Sequence, residues 1–189
     1  MLHTIGEGYI NSELHQHIHT IEFHHPQSNA LPGKLLEALA SAIHAAGNDA
    51  DTKVIVLRSF GEKAFCAGAS FDELMSIQTE AEGYAFFSGF AQVINAMRVC
   101  PQFIIARIHG KCVGGGVGIA AAADYAIAVN NASVKLSELA VGIGPFVVGP
   151  AVERKLGTAA FSQLSIDAAN WRSAQWAHKK GLFAELYDT

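Results

Sequence analysis

The sequence predicts an α/β protein, in which strands and helices alternate along one folded chain. Short apolar runs such as Val54–Arg58 are typical of buried strands, whereas in Pro32–Ala46 the apolar residues recur at helical spacing. Half of the 189 residues are apolar and 16% are charged, which excludes the disordered and fibrous classes. The length fits a single domain over residues 1–189 with a substantial core.

The first half of the chain alternates strands with helices. Residues 14–23 alternate polar and apolar side chains, which predicts one strand, and a turn over residues 24–29 follows. A helix is predicted from Pro32 to a glycine stop at Gly47, and the strand Val54–Arg58 comes next. Residues 60–71 form a predicted loop of small residues. Asp72 then opens a helix, and a second helix covers about residues 80–99.

The second half repeats this alternation. The apolar run Phe103–Ala106 predicts a strand, three glycines at 114–116 predict a turn, and the small residues up to Asp124 predict a helix. A further strand is predicted over Tyr125–Val129. The remaining predicted elements are helices over 151–156, 158–165 and 173–179, and a final strand over 182–186.

Charge and cysteine content limit the partners and the compartment that we expect for the protein. The formal net charge is −4 and no run of Lys or Arg occurs, so we expect no nucleic-acid partner. The three cysteines lack metal-site spacing and cannot all pair, which favours reduced thiols in the cytoplasm. No signal pattern or membrane-length apolar run is present, so we expect a soluble cytoplasmic protein with no membrane partner.

Two small-residue turns, Cys66–Ala69 and Gly114–Gly116, follow apolar segments. The second lacks both the G-x-G-x-x-G spacing of a dinucleotide site and the Gly-Lys-Ser/Thr ending of a phosphate loop. Such a turn at a helix start nevertheless presents unpaired N–H groups and the positive end of the helix dipole. Two N–H groups from separate turns could therefore converge on one oxygen as an oxyanion hole.

Several motifs occur here in a specific order. Asn29-Ala30-Leu31 comes first, and the other motifs are Lys63–Ala69, His109–Gly116, Ala123-Asp124 and Leu136–Leu139. Together they strongly resemble the crotonase family of enoyl-CoA hydratases and isomerases. The resemblance implies a crotonase-like spiral of ββα turns that assembles as a homotrimer or hexamer.

The resemblance also implies a substrate and the residues that bind it. The substrate would be an acyl-CoA thioester, with coenzyme A as part of the substrate, no separate cofactor and no metal. Ala69 and Gly115 would supply the oxyanion-hole N–H groups, and Glu138 matches a catalytic glutamate of the family. Further residues implied to bind the CoA and acyl parts are Ala30, Lys63, Ala67, Phe71 and Gly114.

One departure from the family pattern affects the reaction. Hydratases of the family carry a second glutamate where this chain has Gly118, so the usual two-carboxylate addition of water loses one of its groups. A single base, Glu138, suffices to move a proton between carbons, which favours an enoyl-CoA isomerase. The alternatives are a hydratase, other enolate chemistry such as decarboxylation or thioester hydrolysis, and a non-catalytic CoA-binding protein.

Structural roles are expected for the other conspicuous polar residues. Asp124 would end a helix and fix the next strand, His109 would be hydrogen-bonded, and both Cys66 and Cys112 would be small core residues. His15, His17 and His19 would lie on one face of a strand as exposed side chains rather than as metal ligands. The chain also ends where family members continue into C-terminal helices, so we expect those trimerisation and lid helices to be absent from it.

Overall fold

A computed structural model describes residues 1–189 and confirms both the α/β class and the spiral of ββα turns. The strands are β1 (Leu2–Ile5), β2 (Gly8–His15), β3 (Ile18–His24), β4 (Ala30–Leu31), β5 (Val54–Ser59), β6 (Ala64–Cys66), β7 (Gly68–Ala69), β8 (Phe103–Ile108), β9 (Lys111–Val113), β10 (Tyr125–Val129), β11 (Ser133–Lys135), β12 (Arg172–Ser173) and β13 (Glu185–Tyr187). The helices are α1 (Gly33–Asn48), α2 (Phe71–Ser76), α3 (Glu80–Val99), α4 (Gly115–Ala122), α5 (Gly149–Leu156), α6 (Thr158–Ile166) and α7 (Ala174–Lys179), with a 3₁₀ turn at Leu139–Val141.

The strands form two main sheets that the chain visits alternately. The seven-stranded sheet has the order β1-β2-β3-β5-β8-β10-β13, and the four-stranded sheet has the order β12-β11-β9-β6. Each of three successive turns of the spiral places one strand in the large sheet and the next in the small sheet, as β5–β6, β8–β9 and β10–β11. A third sheet pairs β4 with β7 in parallel.

The core is one cluster of 42 buried residues between the sheets and the helices. Helix α1 buries its predicted apolar face, including Leu35, Leu39 and Ile43. Helix α3 begins at Thr79 with a capping box closed by Glu82, which satisfies N–H groups at its start. Every residue of α4 from Gly116 to Ala122 is buried, which explains why that helix is built from small residues. None of the seven helices combines the length and apolarity needed to cross a membrane.

The predicted single strand over residues 14–23 is wrong, because the structure has a hairpin there. Strands β2 and β3 pair in antiparallel fashion with His15 opposite Ile18. The two turn residues between them, Gln16 and His17, have φ values of 47° and 68°. Positive φ at both positions is the type I′ geometry that matches the twist of paired strands. Neither residue is a glycine or asparagine, so the sequence carries no turn signal at this place.

Two other predicted elements also differ from the structure. The loop predicted over residues 60–71 contains the short strands β6 and β7. Strand β6 pairs with β9 and strand β7 pairs with β4, and both are recognised as strands only by this pairing. The final strand starts at Glu185 rather than at residue 182, because Leu182 and Phe183 are fully buried in the preceding loop. Glu185 is the first residue of β13 that pairs with β10, so the strand begins there.

Asn29 ties the strand before α1 to the strand that leads into the first small-residue turn. Its side chain is buried, and its Oδ1 accepts from the His25 N–H at 2.8 Å. Its Nδ2 donates to the carbonyl oxygens of Phe60 at 2.8 Å and of Ala64 at 2.9 Å. Its φ is +57°, a conformation that asparagine tolerates better than most residues. The asparagine of the Asn-Ala-Leu motif therefore has a structural reason to be there.

Asn29→Ala should lower the free energy of unfolding by about 3 kcal/mol, because buried polar groups of three residues lose their partner and alanine disfavours positive φ. Urea unfolding would measure the change. Asn131→Ala, at an exposed turn, is the matched control and should stay within about 0.5 kcal/mol of the wild type. Equal effects of the two substitutions would contradict this role for Asn29.

Candidate active site

The two small-residue turns meet at one cavity of about 200 Å³. The wall beside them comes from α2, α3 and the segment between β11 and α5. Its lining is mostly apolar, and one ionisable side chain, that of Glu138, faces it. The lining residues that the sequence had placed at a site are Ala67, Ala69, Phe71, Gly114, Gly115 and Glu138.

The second turn presents the N-terminus of α4 to this cavity. Gly114 is the N-cap residue with φ 49° and ψ −112°, a conformation that a side chain would strain. Its N–H donates to the carbonyl oxygen of Lys135 at 2.9 Å, which fixes the turn to β11. Gly115 is the first residue of the helix, so its N–H has no partner within the helix. The helix dipole adds partial positive charge at the same point.

The first turn places Ala69 beside that helix start. The hydrogen bonds between the two short strands flank Ala69: the Ala67 N–H donates to Asn29 O and the Ser70 N–H to Leu31 O, both at 3.3 Å. A Cβ built on Gly68 would lie 3.9 Å from the Gly115 nitrogen, which shows how near the two turns are. The Ser70 hydroxyl caps α2 by accepting from the Glu73 N–H at 3.3 Å.

Glu138 reaches the same place from the opposite wall. The 3₁₀ turn that follows it is fastened by the Val141 and Ile143 N–H groups, which donate to the Glu138 carbonyl oxygen at 3.1 and 3.0 Å. Its carboxylate lies over Gly114, where a Cβ would come within 3.1 Å of Oε1. Oε2 is buried without a hydrogen-bond partner. Burial raises the pKa of this carboxyl group, which makes its ionised form a stronger base.

The place where a second carboxylate would project is filled by apolar side chains. A Cβ built on Gly118 would lie 2.6 Å from Val148 Cγ1 and 3.1 Å from Ile94 Cδ1. Both Val148 and Ile94 are buried. A larger residue at position 118 therefore requires these neighbours to move, so the difference from the hydratase pattern extends beyond one missing side chain.

Phenylalanines of α3 form the other apolar wall, which sequence reasoning missed. Phe86, Phe87 and Phe90 line the cavity, and a Cβ on Gly115 would lie only 2.3 Å from the Phe90 ring. Phe86 and Phe90 are four residues apart, a helical spacing that could have pointed to a shared face. The spacing of these residues in the sequence could not show that this face of the helix points toward Gly115.

Two of the predicted substrate-binding residues lie outside the cavity. Ala30 belongs to β4 and pairs with Gly68, behind the first turn. Lys63 is exposed just before β6, and its carbonyl oxygen accepts from the Lys111 N–H at 3.2 Å. Binding of the CoA part of a substrate by these two residues therefore stays a prediction.

The neighbouring polar residues have the following surroundings. Asp124 was expected to fix the strand that follows it, but its Oδ2 accepts from the Ile104 N–H at 2.8 Å, so the side chain is bonded to the earlier strand β8. Cys66 and Cys112 are fully buried, and burial raises the pKa of the Cys66 thiol to about 12, as expected for core residues.

The hydrogen bond expected for His109 is not present, since its Nε2 is buried without a partner. Desolvation lowers the pKa of that imidazole, which favours its neutral form.

The expected alignment of His15, His17 and His19 on one strand face is wrong, because the hairpin turn separates them. His17 lies in the turn and its Nδ1 is 2.8 Å from Asp51 O. His19 is half-buried between the hydroxyls of Ser12 and Thr52, at 2.7 and 3.1 Å. No three His, Cys, Asp or Glu side chains are grouped where they could share a metal ion.

Comparison with known proteins agrees with this fold. The sequence profile of the family described as "Enoyl-CoA hydratase/isomerase" matches residues 13–187. The chain therefore belongs to the enoyl-CoA hydratase/isomerase, or crotonase, family. An enoyl-CoA hydratase structure from Bacillus anthracis superposes with a TM-score of 0.87 at 30% identity, covering 94% of this chain and 69% of that one.

Several curated relatives carry hydratase names, and others are named as CoA hydrolases. The "Probable enoyl-CoA hydratase" of Bacillus subtilis (strain 168) is 32% identical over 151 residues, which is 79% of this chain and 58% of the relative. The mitochondrial methylglutaconyl-CoA hydratase of Rattus norvegicus is 32% identical over 161 residues, which is 85% of this chain and 50% of the relative. The chain thus spans about half the length of the curated relatives it matches.

Glu138→Gln should alter how stability depends on pH. The folded-state pKa of Glu138 is raised by burial, so the wild type loses stability as pH rises from the unfolded pKa through the folded one. Glutamine does not titrate, so the difference in unfolding free energy should move in favour of the variant as the pH rises above about 4, the ordinary carboxyl pKa. Urea unfolding at several pH values measures it, and parallel pH profiles would contradict the burial of this charge.

Gly118→Ala should destabilise the protein by about 1–3 kcal/mol, because the added methyl group meets Val148. Adding Val148→Ala should recover part of this loss, giving a favourable coupling in a double-mutant cycle. Gly83→Ala is the control: its Cβ would meet only Ile77 Cγ2, at 3.7 Å, so in helix α3 it should be neutral or stabilise by up to about 1 kcal/mol. Strict additivity at 118 and 148 would contradict the steric account.

Proposed function

We propose that this chain acts on an acyl-CoA thioester and stabilises its enolate, most specifically as an enoyl-CoA isomerase. The observation that carries the proposal is a single buried carboxylate, Glu138, facing the cavity at which Ala69 and the helix start at Gly115 meet. Coenzyme A would enter as part of the substrate, and the residues need no other cofactor. A trimeric or hexameric assembly remains a prediction from the family resemblance.

The first step removes a proton from carbon. The thioester carbonyl oxygen of a 3-enoyl-CoA would accept hydrogen bonds from the N–H groups of Ala69 and Gly115. The ionised carboxylate of Glu138 takes a proton from the α-carbon, and the electron pair of that C–H bond moves toward the carbonyl oxygen. The two N–H donors and the dipole of α4 stabilise the developing negative charge; one such donor contributes about 3 kcal/mol.

The second step returns the same proton to a different carbon. The dienolate carries negative charge at both the α- and γ-carbons, so protonated Glu138 can give its proton to the γ-carbon. The double bond then lies between the α- and β-carbons, the carbonyl reforms, and Glu138 is again ionised. No water enters the balance. The raised pKa of the carboxyl group brings it closer to that of the carbon acid, which lowers the cost of each transfer.

The surroundings of Gly118 support isomerisation over hydration. Hydration needs a water held for attack on the β-carbon, and family hydratases use two carboxylates for this purpose. Here Val148 and Ile94 occupy the space beside Gly118, and no second ionisable side chain lines the cavity. The names of the relatives favour the alternative, a hydratase, so the two reactions must be measured together.

Glu138→Gln should reduce isomerisation of a 3-enoyl-CoA by about 10²–10⁴-fold in kcat, because glutamine cannot accept the proton. Wild-type hydration of a 2-enoyl-CoA should be far slower than isomerisation. Glu37→Gln, on the exposed face of α1, is the matched control and should leave both rates unchanged. Stopped-time assays of both reactions on the same preparations would provide the comparison.

The outcomes separate the alternatives. Undiminished isomerisation in Glu138→Gln would exclude this residue as the base. Hydration as fast as isomerisation in the wild type would show that water is activated without a carboxylate at position 118. Calorimetric binding of CoA with neither reaction would identify a non-catalytic CoA-binding protein. Release of free CoA from an acyl-CoA would point to thioester hydrolysis.

A further inference from the structure

The outer face of the four-stranded sheet carries a cationic cluster that the proposed reaction does not use. It consists of Lys111 on β9, Lys135 on β11 and Trp171, the residue before β12. Strand register brings them together: Lys135 lies opposite Val113, two residues after Lys111. Arg172 lies opposite Val134 in the antiparallel β11–β12 pair, which places Trp171 beside Lys135.

Both ammonium groups sit at the same indole. Lys111 Nζ is 5.1 Å and Lys135 Nζ is 4.7 Å from the ring centroid of Trp171. Such cation–π contacts hold the two lysine side chains in place at about 0.5–1 kcal/mol each. Because both atoms lie near one centroid, they are at most about 10 Å apart.

No carboxylate neutralises this pair of charges. The side-chain ion pairs of the protein are Glu22–Arg58 and Asp167–Arg172, and neither includes Lys111 or Lys135. The adjacent cation, Arg172, is therefore already paired. In a chain with a net charge of −4, the cluster is a local concentration of unpaired positive charge.

The cluster is open to solvent and lies next to the cavity wall. Trp171 is 40% exposed and Lys111 is exposed. The two lysines each come two residues before a residue that lines the cavity, Val113 on β9 and Ser137 after β11. The carbonyl oxygen of Lys135 also accepts the Gly114 N–H, so the backbone of the cluster is joined directly to the turn at α4.

We propose that Lys111, Lys135 and Trp171 form a binding site for a small molecule that carries a diphosphate group. Two ammonium groups on one rigid indole, separated by no more than about 10 Å, can each contact one phosphoryl group of a diphosphate. The group would come either from a free nucleoside diphosphate or from the diphosphate of coenzyme A. Both ligands would present the same diphosphate group to the two lysines. They differ in the remainder of the molecule and therefore in the other contacts that they make.

Trp171 provides the measurement, because it is one of only two tryptophans. In a Trp176→Phe background, the fluorescence of Trp171 would be followed during titration with inorganic pyrophosphate, ADP and CoA at low ionic strength. We expect saturable changes with a Kd of about 1 mM or tighter. Lys111→Gln and Lys135→Gln should each weaken binding about tenfold, the effect of losing one charge-assisted hydrogen bond.

The control is Lys179→Gln combined with Lys180→Gln, two exposed lysines at the C-terminal end of α7 that should leave the titration unchanged. Equal affinity for pyrophosphate, ADP and CoA would identify a general diphosphate site, whereas much tighter binding of CoA alone would identify the substrate's own diphosphate as the source. A titration without saturation, or one that both lysine substitutions leave unchanged, would overturn the proposal. Inorganic pyrophosphate carries neither a thioester nor an acyl group, so its titration is independent of the proposed reaction.

Discussion

The site depends on how closely helix α4 approaches the strand of the first turn. A Cβ on Gly116 would lie 2.5 Å from the Cys66 carbonyl oxygen, so only glycine permits this contact of backbone with backbone. The approach brings the helix start at Gly115 beside Gly68 and Ala69 and gives the cavity its polar wall. It also buries α4 from Gly116 to Ala122, which requires a helix of small residues.

Polar groups line one side of the cavity beside this contact, and apolar side chains line the other side. Backbone N–H groups and Glu138 form the polar side of the cavity, and no other ionisable side chain lines it. Phe86, Phe87 and Phe90 form its apolar side. A buried carboxylate oxygen without a hydrogen-bond partner, such as Glu138 Oε2, is costly in a folded protein, and proteins retain such groups mainly where they act.

The sequence predicted helices more successfully than strands. The periodic apolar face of α1 and the bounds of α3 at Glu80 and Val99 could be predicted because helical periodicity is local. The hairpin at Gln16 and His17 and the two-residue strands β4 and β7 could not, because they depend on pairing partners. Of the candidate site, Ala69, Gly115 and Glu138 came from motifs, whereas the phenylalanine wall did not.

The sequence alone determined the family, the two glycine- and alanine-rich turns and the absence of a glutamate at position 118, because these are matters of residue identity and order. Only the tertiary structure decided that Val148 and Ile94 fill the space beside Gly118 and that Glu138 is buried over Gly114. It also decided that Lys111 and Lys135 share one indole. These facts concern residues that are distant in the chain, and only the pairing of strands and the packing of helices sets the distances between them.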